Sequence, residues 1–223
     1  MFPQRLTDGY RAFLDDRFRR EQSRYEALAD GQSPEIMVIS CCDSRVSPEV
    51  VFDASPGELF VVRNVANLVP PYETGGEYHG TSAALEFAVQ ALRVKHIVVL
   101  GHARCGGIRA FADPSAPLSP GDFIGRWMNL VAPAAEKAGP RGADLAEYVQ
   151  RLELAAIENS LANLMTFPCI HTLVERGRLH LHGAYFGIAT GVLMVRDPGT
   201  GAFAPVLEDA PQRIGRFRAS EAG

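Results

Sequence analysis

The feature that most constrains the fold is an amphipathic segment flanked by apolar runs of strand length. Residues 81–94 carry alanine and leucine at helical spacing, namely at Ala84, Leu85, Ala88, Ala91 and Leu92. Short apolar runs lie before it at residues 36–40 and 59–62, and another follows it at residues 96–101. A strand, a helix and a second strand in this order form the crossover unit of a parallel sheet. The sequence therefore predicts an α/β fold.

Other segments extend this prediction in both directions along the chain. Helical patterns cover residues 2–29, 143–166 and 169–176. Residues 179–182 alternate with a period of two, and residues 191–195 are the predicted hairpin partner. We therefore expect a central sheet of about four parallel strands plus one antiparallel edge strand, flanked by helices.

No internal repeat and no linker divides the sequence, so we predict a single domain over residues 1–223 with an N-terminal amphipathic helical arm at residues 1–32. The 22 basic and 26 acidic residues give a formal charge of -4, which argues against a nucleic-acid-binding protein. The longest wholly apolar run is far below the ~20 residues of a membrane span, and no secretory signal is recognisable. We expect a cytoplasmic protein without a membrane partner.

Two clusters of reactive side chains follow two of the predicted strands. Cys41, Asp43 and Arg45 come after the first strand, and His102 and Cys105 come after the strand at residues 96–101. Because reactive groups gather at the carboxyl ends of parallel strands, we expect the two clusters to meet. Two thiolates and an imidazole suit zinc, and three protein ligands leave a fourth position open for catalysis.

Asp43 has two alternative roles in such a site. Its carboxylate could bind the metal and close the site, or it could accept a hydrogen bond from zinc-bound hydroxide. Arg45 could hold the carboxylate away from the metal through charge-assisted hydrogen bonds. Of the adjacent Cys41 and Cys42, strand alternation allows only one to face the site.

The remaining candidate residues have simpler interpretations. Four cysteines in a chain of this length do not indicate a disulfide framework, and Cys169 and Trp127 are predicted to lie in the core. His180 and His182 share one strand face without a cysteine or carboxylate at suitable spacing, so we interpret them as a polar sheet face. His79 is either a proton shuttle or a loop histidine.

Taken together, C-x-D-x-R at Cys41, Asp43 and Arg45 and H-x-x-C at His102 and Cys105 resemble the β-class carbonic anhydrases. The similarity to the plant-type branch covers most of the chain, in the stretches GQSPEIMVISCCDSRVSP, PGELFVVRNVANLVPP, AALEFAVQALRV, HIVVLGHARCGGI and ENSLANLMTFP. The resemblance implies zinc-dependent reversible hydration of carbon dioxide to bicarbonate and a proton. It implies one Zn²⁺ per chain and attack by zinc-bound hydroxide oriented by the Asp-Arg pair. The ligands it implies are Cys41 rather than Cys42, His102 and Cys105.

The same resemblance implies a substrate pocket and an assembly. Gln32, Phe60 and Phe87 would line the small apolar pocket for carbon dioxide. The amide N–H of Gly106 and the Gln32 side chain would help to hold bicarbonate. The arm at residues 1–32 would reach across to a second subunit, giving a homodimer or a higher homo-oligomer built from dimers.

Three positions depart from the pattern of the family. Cys42 stands where serine is common, and it adds a site of possible oxidation. Phe87 stands where the plant enzymes carry tyrosine, so one hydroxyl of the pocket is missing. Val38 stands where some bacterial members have the tryptophan of an inhibitory bicarbonate site, so we do not expect that regulation here.

Two alternative functions fit the same residues. One is a hydrolase on the same zinc scaffold that acts on carbon disulfide or carbonyl sulfide. The other is a non-catalytic module in which zinc is structural and the Cys41–Cys42 pair senses oxidants. An aspartate held by an arginine beside an open metal position favours catalysis over the non-catalytic module, whereas the pocket residues do not decide between carbon dioxide and carbon disulfide or carbonyl sulfide.

Overall fold

The computed structural model describes residues 1–75, 79–113 and 123–208. In these ranges the chain forms a six-stranded sheet in the order β2-β1-β3-β4-β5-β6. The strands are β1 Ile36–Cys41, β2 Leu59–Asn64, β3 His96–His102, β4 His180–Phe186, β5 Leu193–Arg196 and β6 Phe203–Pro205. The first four strands in the spatial order are parallel, and β5 pairs antiparallel with β4. The predicted α/β fold is confirmed, and β6 adds a short strand beyond β5 that the sequence pattern did not indicate.

Helices connect and flank these strands. The α-helices are α1 Gln4–Phe13, α2 Arg19–Ala29, α3 Pro48–Val51, α4 Gly80–Glu86, α5 Gly106–Ala112, α6 Ile124–Met128, α7 Ala132–Ala138, α8 Leu145–Leu164 and α9 Pro168–Glu175. Two predicted helices contain π-helical turns, at Leu14–Phe18 between α1 and α2, and at Phe87–Leu92 after α4. No helix in the described ranges is long and apolar enough to cross a membrane.

Local sequence explains where α8, the longest helix, begins and how it packs. The Asp144 side chain accepts hydrogen bonds from the amides of Ala146 and Glu147, which caps the N-terminus of the helix. At the sheet, a Cβ atom on Gly101 of β3 would lie 2.7 Å from Cδ1 of Ile157. Glycine therefore allows α8 to lie directly against the carboxyl-terminal half of β3.

The two faces of the sheet pack differently. On one face, Met37, Ile39, Ile97 and Val99 are fully buried against α4, α8 and α9. On the other face, Val38, Leu100 and Ala184 form a smaller buried cluster with side chains around α3. The first face therefore buries more apolar side chains than the second.

The N-terminal arm differs from the rest of the fold because none of its helical residues is buried. Its apolar side chains Phe2, Leu6 and Tyr10 are 68%, 54% and 61% exposed. The spacing of these residues places them along one side of the helical arm. The arm therefore presents an apolar stripe that the core of its own chain does not cover.

Candidate metal centre

Three candidate ligands meet at the carboxyl end of the sheet. Cys41 and His102 are the last residues of the neighbouring parallel strands β1 and β3, one residue further into the strands than the sequence suggested. Cys105 precedes the first residue of α5, and Arg104 at φ 57° turns the chain towards it. The three side chains are buried, and their ligand atoms lie within 4.8 Å of one another. Among the described residues, this is the one group of three such side chains that meets this spacing.

The imidazole of His102 is oriented for metal binding. Its Nδ1 lies 3.0 Å from the carbonyl oxygen of Ala103, a contact in which Nδ1–H donates. This tautomer leaves the lone pair on Nε2, which is buried and has no hydrogen-bond partner within the described ranges. A buried nitrogen without a partner is costly, and a metal ion would supply the missing interaction. The residues present therefore fit zinc.

The two thiols are strongly coupled. A hydrogen bond from Cys105 lowers the pKa of Cys41 below that of an ordinary thiol, and the amide of Ala66 donates to its sulfur at 3.4 Å. The hydrogen bond to Cys41, together with burial, raises the pKa of Cys105. Without a cation the pair shares one proton, and a metal ion would bind both sulfurs as thiolates.

Asp43 lies beside this cluster and is held by Arg45. The Arg45 guanidinium donates from Nε to Oδ1 at 2.9 Å and from a terminal nitrogen to Oδ2 at 2.6 Å, while the Arg45 amide donates to Oδ1 at 3.0 Å. These hydrogen bonds hold the pKa of Asp43 well below its usual range, so the carboxylate is ionised at neutral pH. Oδ2 lies 3.8 Å from Nε2 of His102, the nitrogen that faces the cluster.

Glu153 of α8 supports the cluster from behind, which the sequence analysis missed. Its side chain is buried, and its Oε1 accepts a hydrogen bond from the amide of Cys105 at 2.8 Å. Its Oε2 accepts from the hydroxyl of Tyr185 at 2.7 Å, while burial raises the pKa of the carboxyl. The available signal was a glutamate within the apolar stripe of the helix, one helical turn after Val149.

Arg63 of β2 holds the loop that carries Asp43, which the sequence analysis also missed. Its guanidinium donates to the carbonyl oxygens of Cys41 at 2.9 Å, Asp43 at 2.7 Å and Val46 at 2.9 Å. Arg63 can reach these oxygens because it pairs with Ser40, the residue before Cys41, in the neighbouring strand. One arginine therefore binds three carbonyl oxygens between the end of β1 and the start of α3.

The structure does not bring the predicted pocket residues together with the metal ligands of the same chain. Phe60 and Phe87 contact each other, with ring centroids 5.9 Å apart. Phe60 pairs with Met37, four residues before the position of Cys41, which is roughly 13 Å along the strand. Phe87 is 48% exposed, and Gln32 is exposed as well. Gly106, in contrast, follows Cys105 directly as the first residue of α5.

The other singled-out residues have defined places. All four cysteines lie in the described ranges and are free thiols, with Cys41 buried and Cys42 exposed. Cys169 packs against the main core, and Trp127 packs against the core near α5 and donates from Nε1 to the carbonyl oxygen of Val65. A ring nitrogen of His79 lies 2.8 Å from the carbonyl oxygen of Gly75 in an exposed loop.

The chain is similar to known proteins in sequence and in fold. The family model for carbonic anhydrase matches residues 36–193. Over 177 residues, or 78% of this chain, it is 42% identical to the chloroplastic beta carbonic anhydrase 5 of Arabidopsis thaliana. The matched region spans 58% of that protein, so this chain covers little more than half of its length.

Solved structures give the same result. The structure of the beta-carbonic anhydrase CcaA matches with a TM-score of 0.79 and 30% identity, over 91% of this chain and 98% of that chain. One of two tetrameric beta-carbonic anhydrases from the filamentous ascomycete Sordaria macrospora matches with a TM-score of 0.74 and 30% identity, over 89% of this chain and 96% of that chain.

Proposed function

This chain belongs to the β-class carbonic anhydrases, and on that premise we propose that it catalyses the zinc-dependent reversible hydration of carbon dioxide to bicarbonate and a proton. The observation that carries the proposal is the position of an ionised Asp43 beside three buried metal-ligating side chains. A structural zinc site has four protein ligands and therefore no open coordination position beside which a restrained carboxylate could act. This favours catalysis over a non-catalytic zinc or redox module.

In this proposal, Cys41, His102 and Cys105 hold one Zn²⁺ per chain. The bound ion would supply an open coordination position for a reactive water, and because two thiolates lower the charge of the ion, we expect the reaction to be favoured at mildly alkaline pH. The chain supplies the geometry around that position. Glu153 holds the amide of Cys105, and the carbonyl oxygen of Ala103 fixes the tautomer of His102.

Asp43 and Arg45 are proposed as the catalytic pair. The two guanidinium hydrogen bonds keep the Asp43 carboxylate ionised and oriented, with Oδ2 towards the ligand cluster. From this position the carboxylate can accept a hydrogen bond from the reacting oxygen and orient it towards carbon dioxide. Arg45 also donates to the carbonyl oxygen of Arg104 at 3.1 Å, which ties the pair to the loop before Cys105.

We propose that the substrate pocket is completed by a second copy of the chain. Gln32, Phe60 and Phe87 would line it, and the Gly106 amide would help to hold bicarbonate. The distance along β2 separates Phe60 from the metal ligands of its own chain, whereas the exposed face of Phe87 is free to meet another subunit. The apolar stripe of the arm at residues 1–32 also supports an assembly in which two copies of the single domain 1–223 contact each other. The Sordaria enzyme, which is tetrameric, is consistent with dimers that associate further.

The direct test of the function is stopped-flow hydration of carbon dioxide with zinc content measured on the same sample. We expect saturable hydration in a preparation that holds close to one zinc per chain. A zinc-replete preparation without hydration activity from about pH 7 to 9 would contradict the assignment. Carbon disulfide and carbonyl sulfide belong in the same experiment, because release of sulfide without hydration of carbon dioxide would assign the chain to the alternative hydrolase.

Subunit mixing tests the shared pocket. Cys41→Ser and Phe87→Asp variants should each be strongly impaired, because one lacks a metal ligand and the other places a charge in an apolar pocket. If each site uses both chains, co-expression should restore roughly a quarter of wild-type activity, since half of randomly formed dimers are mixed and each of these has one intact site. The measurement is hydration rate per total chain, with light scattering to establish the dimer.

The mixing experiment has an internal control. The Cys41→Ser and Cys105→Ser variants each lack one ligand of the same metal site. Their co-expression would restore activity in mixed dimers only if Cys41 and Cys105 of one site came from different chains. No restoration is expected for that pair. If the Cys41→Ser and Phe87→Asp pair also gains nothing beyond the sum of its parents, the shared pocket is wrong.

The cytoplasmic location stays a prediction. The described residues contain no helix that could span a membrane, and the similar Arabidopsis protein is named as chloroplastic.

A further inference from the structure

Three histidines meet at the end of the sheet opposite the candidate metal centre. His96 is the first residue of β3, and it pairs in register with His180, the first residue of β4. His182 lies two positions further along β4 on the same face. The ring of His96 lies 5.3 Å from that of His180 and 5.2 Å from that of His182, measured between centroids. We call His96, His180 and His182 the β3–β4 histidine cluster.

This arrangement adds His96 to the polar sheet face to which we assigned His180 and His182. Nδ1 of His96 and Nε2 of His182 lie 3.1 Å apart and share a hydrogen bond. Each of these nitrogens therefore points at the other rather than at solvent. The sequence showed only the pair in β4, because the third histidine comes from a strand about 80 residues earlier and joins it through strand register.

We propose that the β3–β4 histidine cluster binds a second divalent transition-metal ion of the zinc class, independent of the ion at Cys41, His102 and Cys105. Imidazole nitrogens bind zinc at about 2.0–2.1 Å, so two nitrogens 3.1 Å apart can share one ion with an angle of roughly 95° at the metal. Both rings must turn so that their lone pairs converge on the ion, and a separation of roughly 3.3 Å between the two nitrogens gives the tetrahedral angle. The metal then replaces the proton that His96 and His182 now share.

His180 is the third ligand in this proposal, and water completes the coordination. Its side chain is exposed, so the ring can turn about its own bonds towards the other two. Histidines at positions i and i+2 of a strand project from one face, which is the spacing that a shared ion requires. The rings of His96 and His180 are stacked with centroids 5.3 Å apart, and the three histidines do not yet meet the 4.8 Å ligand spacing of the first site. The His180 ring must therefore turn before it can bind the shared ion.

The surroundings of the cluster leave at least one imidazole available to a cation. Burial, followed by the neighbouring His96 and His180, lowers the pKa of His182, so its imidazole is neutral and able to bind metal at neutral pH. The Glu35 carboxylate lies close enough to His96 to interact with it electrostatically, and Lys95 forms an ion pair with that carboxylate. Because Lys95 neutralises Glu35, the pair adds no net charge beside the cluster.

The two sites are separate in position and in chemistry. His96 and His102 are the two ends of β3, and six residues of strand span roughly 20 Å. The cluster offers only imidazole nitrogens, whereas the other site offers two cysteine sulfurs. We therefore expect the second ion to bind more weakly and to exchange with solution, while the first stays bound through purification.

The test is zinc binding to protein that already holds one ion per chain. Equilibrium dialysis against rising free zinc, with metal content measured per chain, should show a second ion in the wild-type protein. His96→Ala and His182→Ala should each weaken this second step by at least about tenfold, the lower range of losses seen for a ligand's supporting partner. The matched control is His171→Ala, which removes an exposed histidine on α9 and should leave both binding steps unchanged.

Two results would overturn the proposal. One is a zinc content that stays at one per chain throughout, and the other is a second ion whose affinity does not change in either variant. Binding of inorganic phosphate in place of zinc would assign the cluster to anions and would overturn it as well. If His96→Ala or His182→Ala does not fold, His180→Ala replaces it, and it should weaken the second binding step in the same way. The ion count does not depend on carbon dioxide hydration, so the failure of one proposal leaves the other testable.

Discussion

Replacement of Cys41 with serine should remove zinc from the protein and reduce carbon dioxide hydration to the uncatalysed rate. A serine hydroxyl stays protonated where the cysteine becomes a thiolate, so only His102 and Cys105 remain as ligands. The same change should lower the melting temperature of the purified protein, because the ion connects β1 to β3 and to the start of α5. Zinc content, hydration rate and thermal unfolding measured on one preparation check all three effects.

The adjacent residue supplies the control for this prediction. Cys42→Ser changes the same atom type one position away, on a side chain that is exposed rather than directed at the cluster. We expect it to keep zinc, hydration and melting temperature, and to lose only the reactivity of an exposed thiol towards alkylating reagents. If Cys42→Ser loses zinc and Cys41→Ser keeps it, the assignment of the ligand is wrong.

Asp43→Asn should reduce hydration by about 10²–10⁴-fold while zinc stays bound at close to one ion per chain. Asparagine keeps the size of the side chain but removes the negative charge that Arg45 orients and that the reacting oxygen would meet. Arg45 is about half exposed, so the loss of its partner leaves no buried unpaired charge and the fold should persist. Stopped-flow hydration combined with metal analysis separates an effect on the reaction from an effect on zinc binding.

Two further variants serve as comparisons for Asp43→Asn. Arg45→Lys replaces a bidentate partner with a point charge and should give an intermediate loss, because the carboxylate is then held less firmly. Glu147→Gln breaks an exposed carboxylate–arginine pair with Arg151 and should change hydration little. If Asp43→Asn retained most of the hydration rate, the proposed role of Asp43 in the reaction would be wrong. Loss of zinc in that variant would instead make the carboxylate a metal ligand.

Much of the scaffold follows from local patterns. Apolar runs and helical periodicity predicted the crossover from β1 through α4 to β3, because these patterns report which side of each element is buried. The same patterns placed Cys41 and His102 at strand ends, and parallel strands bring such ends together. The four parallel strands and the antiparallel β5 were likewise predictable. The π-helical turns were not, because the sequence pattern did not distinguish them from α-helix, and β6 was not, because it depends on pairing with β5.

The partners of the site were harder to predict. Glu153 and Arg63 reach the ligand loops from α8 and β2, and neither lies near a ligand in sequence. The contact of Glu153 with Cys105 needs the close packing of α8 on β3 at Gly101, which is a property of two surfaces rather than of one pattern. Phe60 and Phe87 show the same limit, since the resemblance named them but strand register decides how far they lie from the ligands.

The sequence by itself determined the donor types, their order and their positions at strand ends, and hence the chemistry of two thiolates, an imidazole and a carboxylate. The tertiary structure decided which atoms face each other. It left Nε2 of His102 without a partner, paired Asp43 with Arg45, placed Glu153 behind Cys105 and joined His96 to His182. The reason is physical: burial periodicity is encoded over a few neighbouring residues, whereas register and interatomic distance depend on side chains that meet only after the chain has packed.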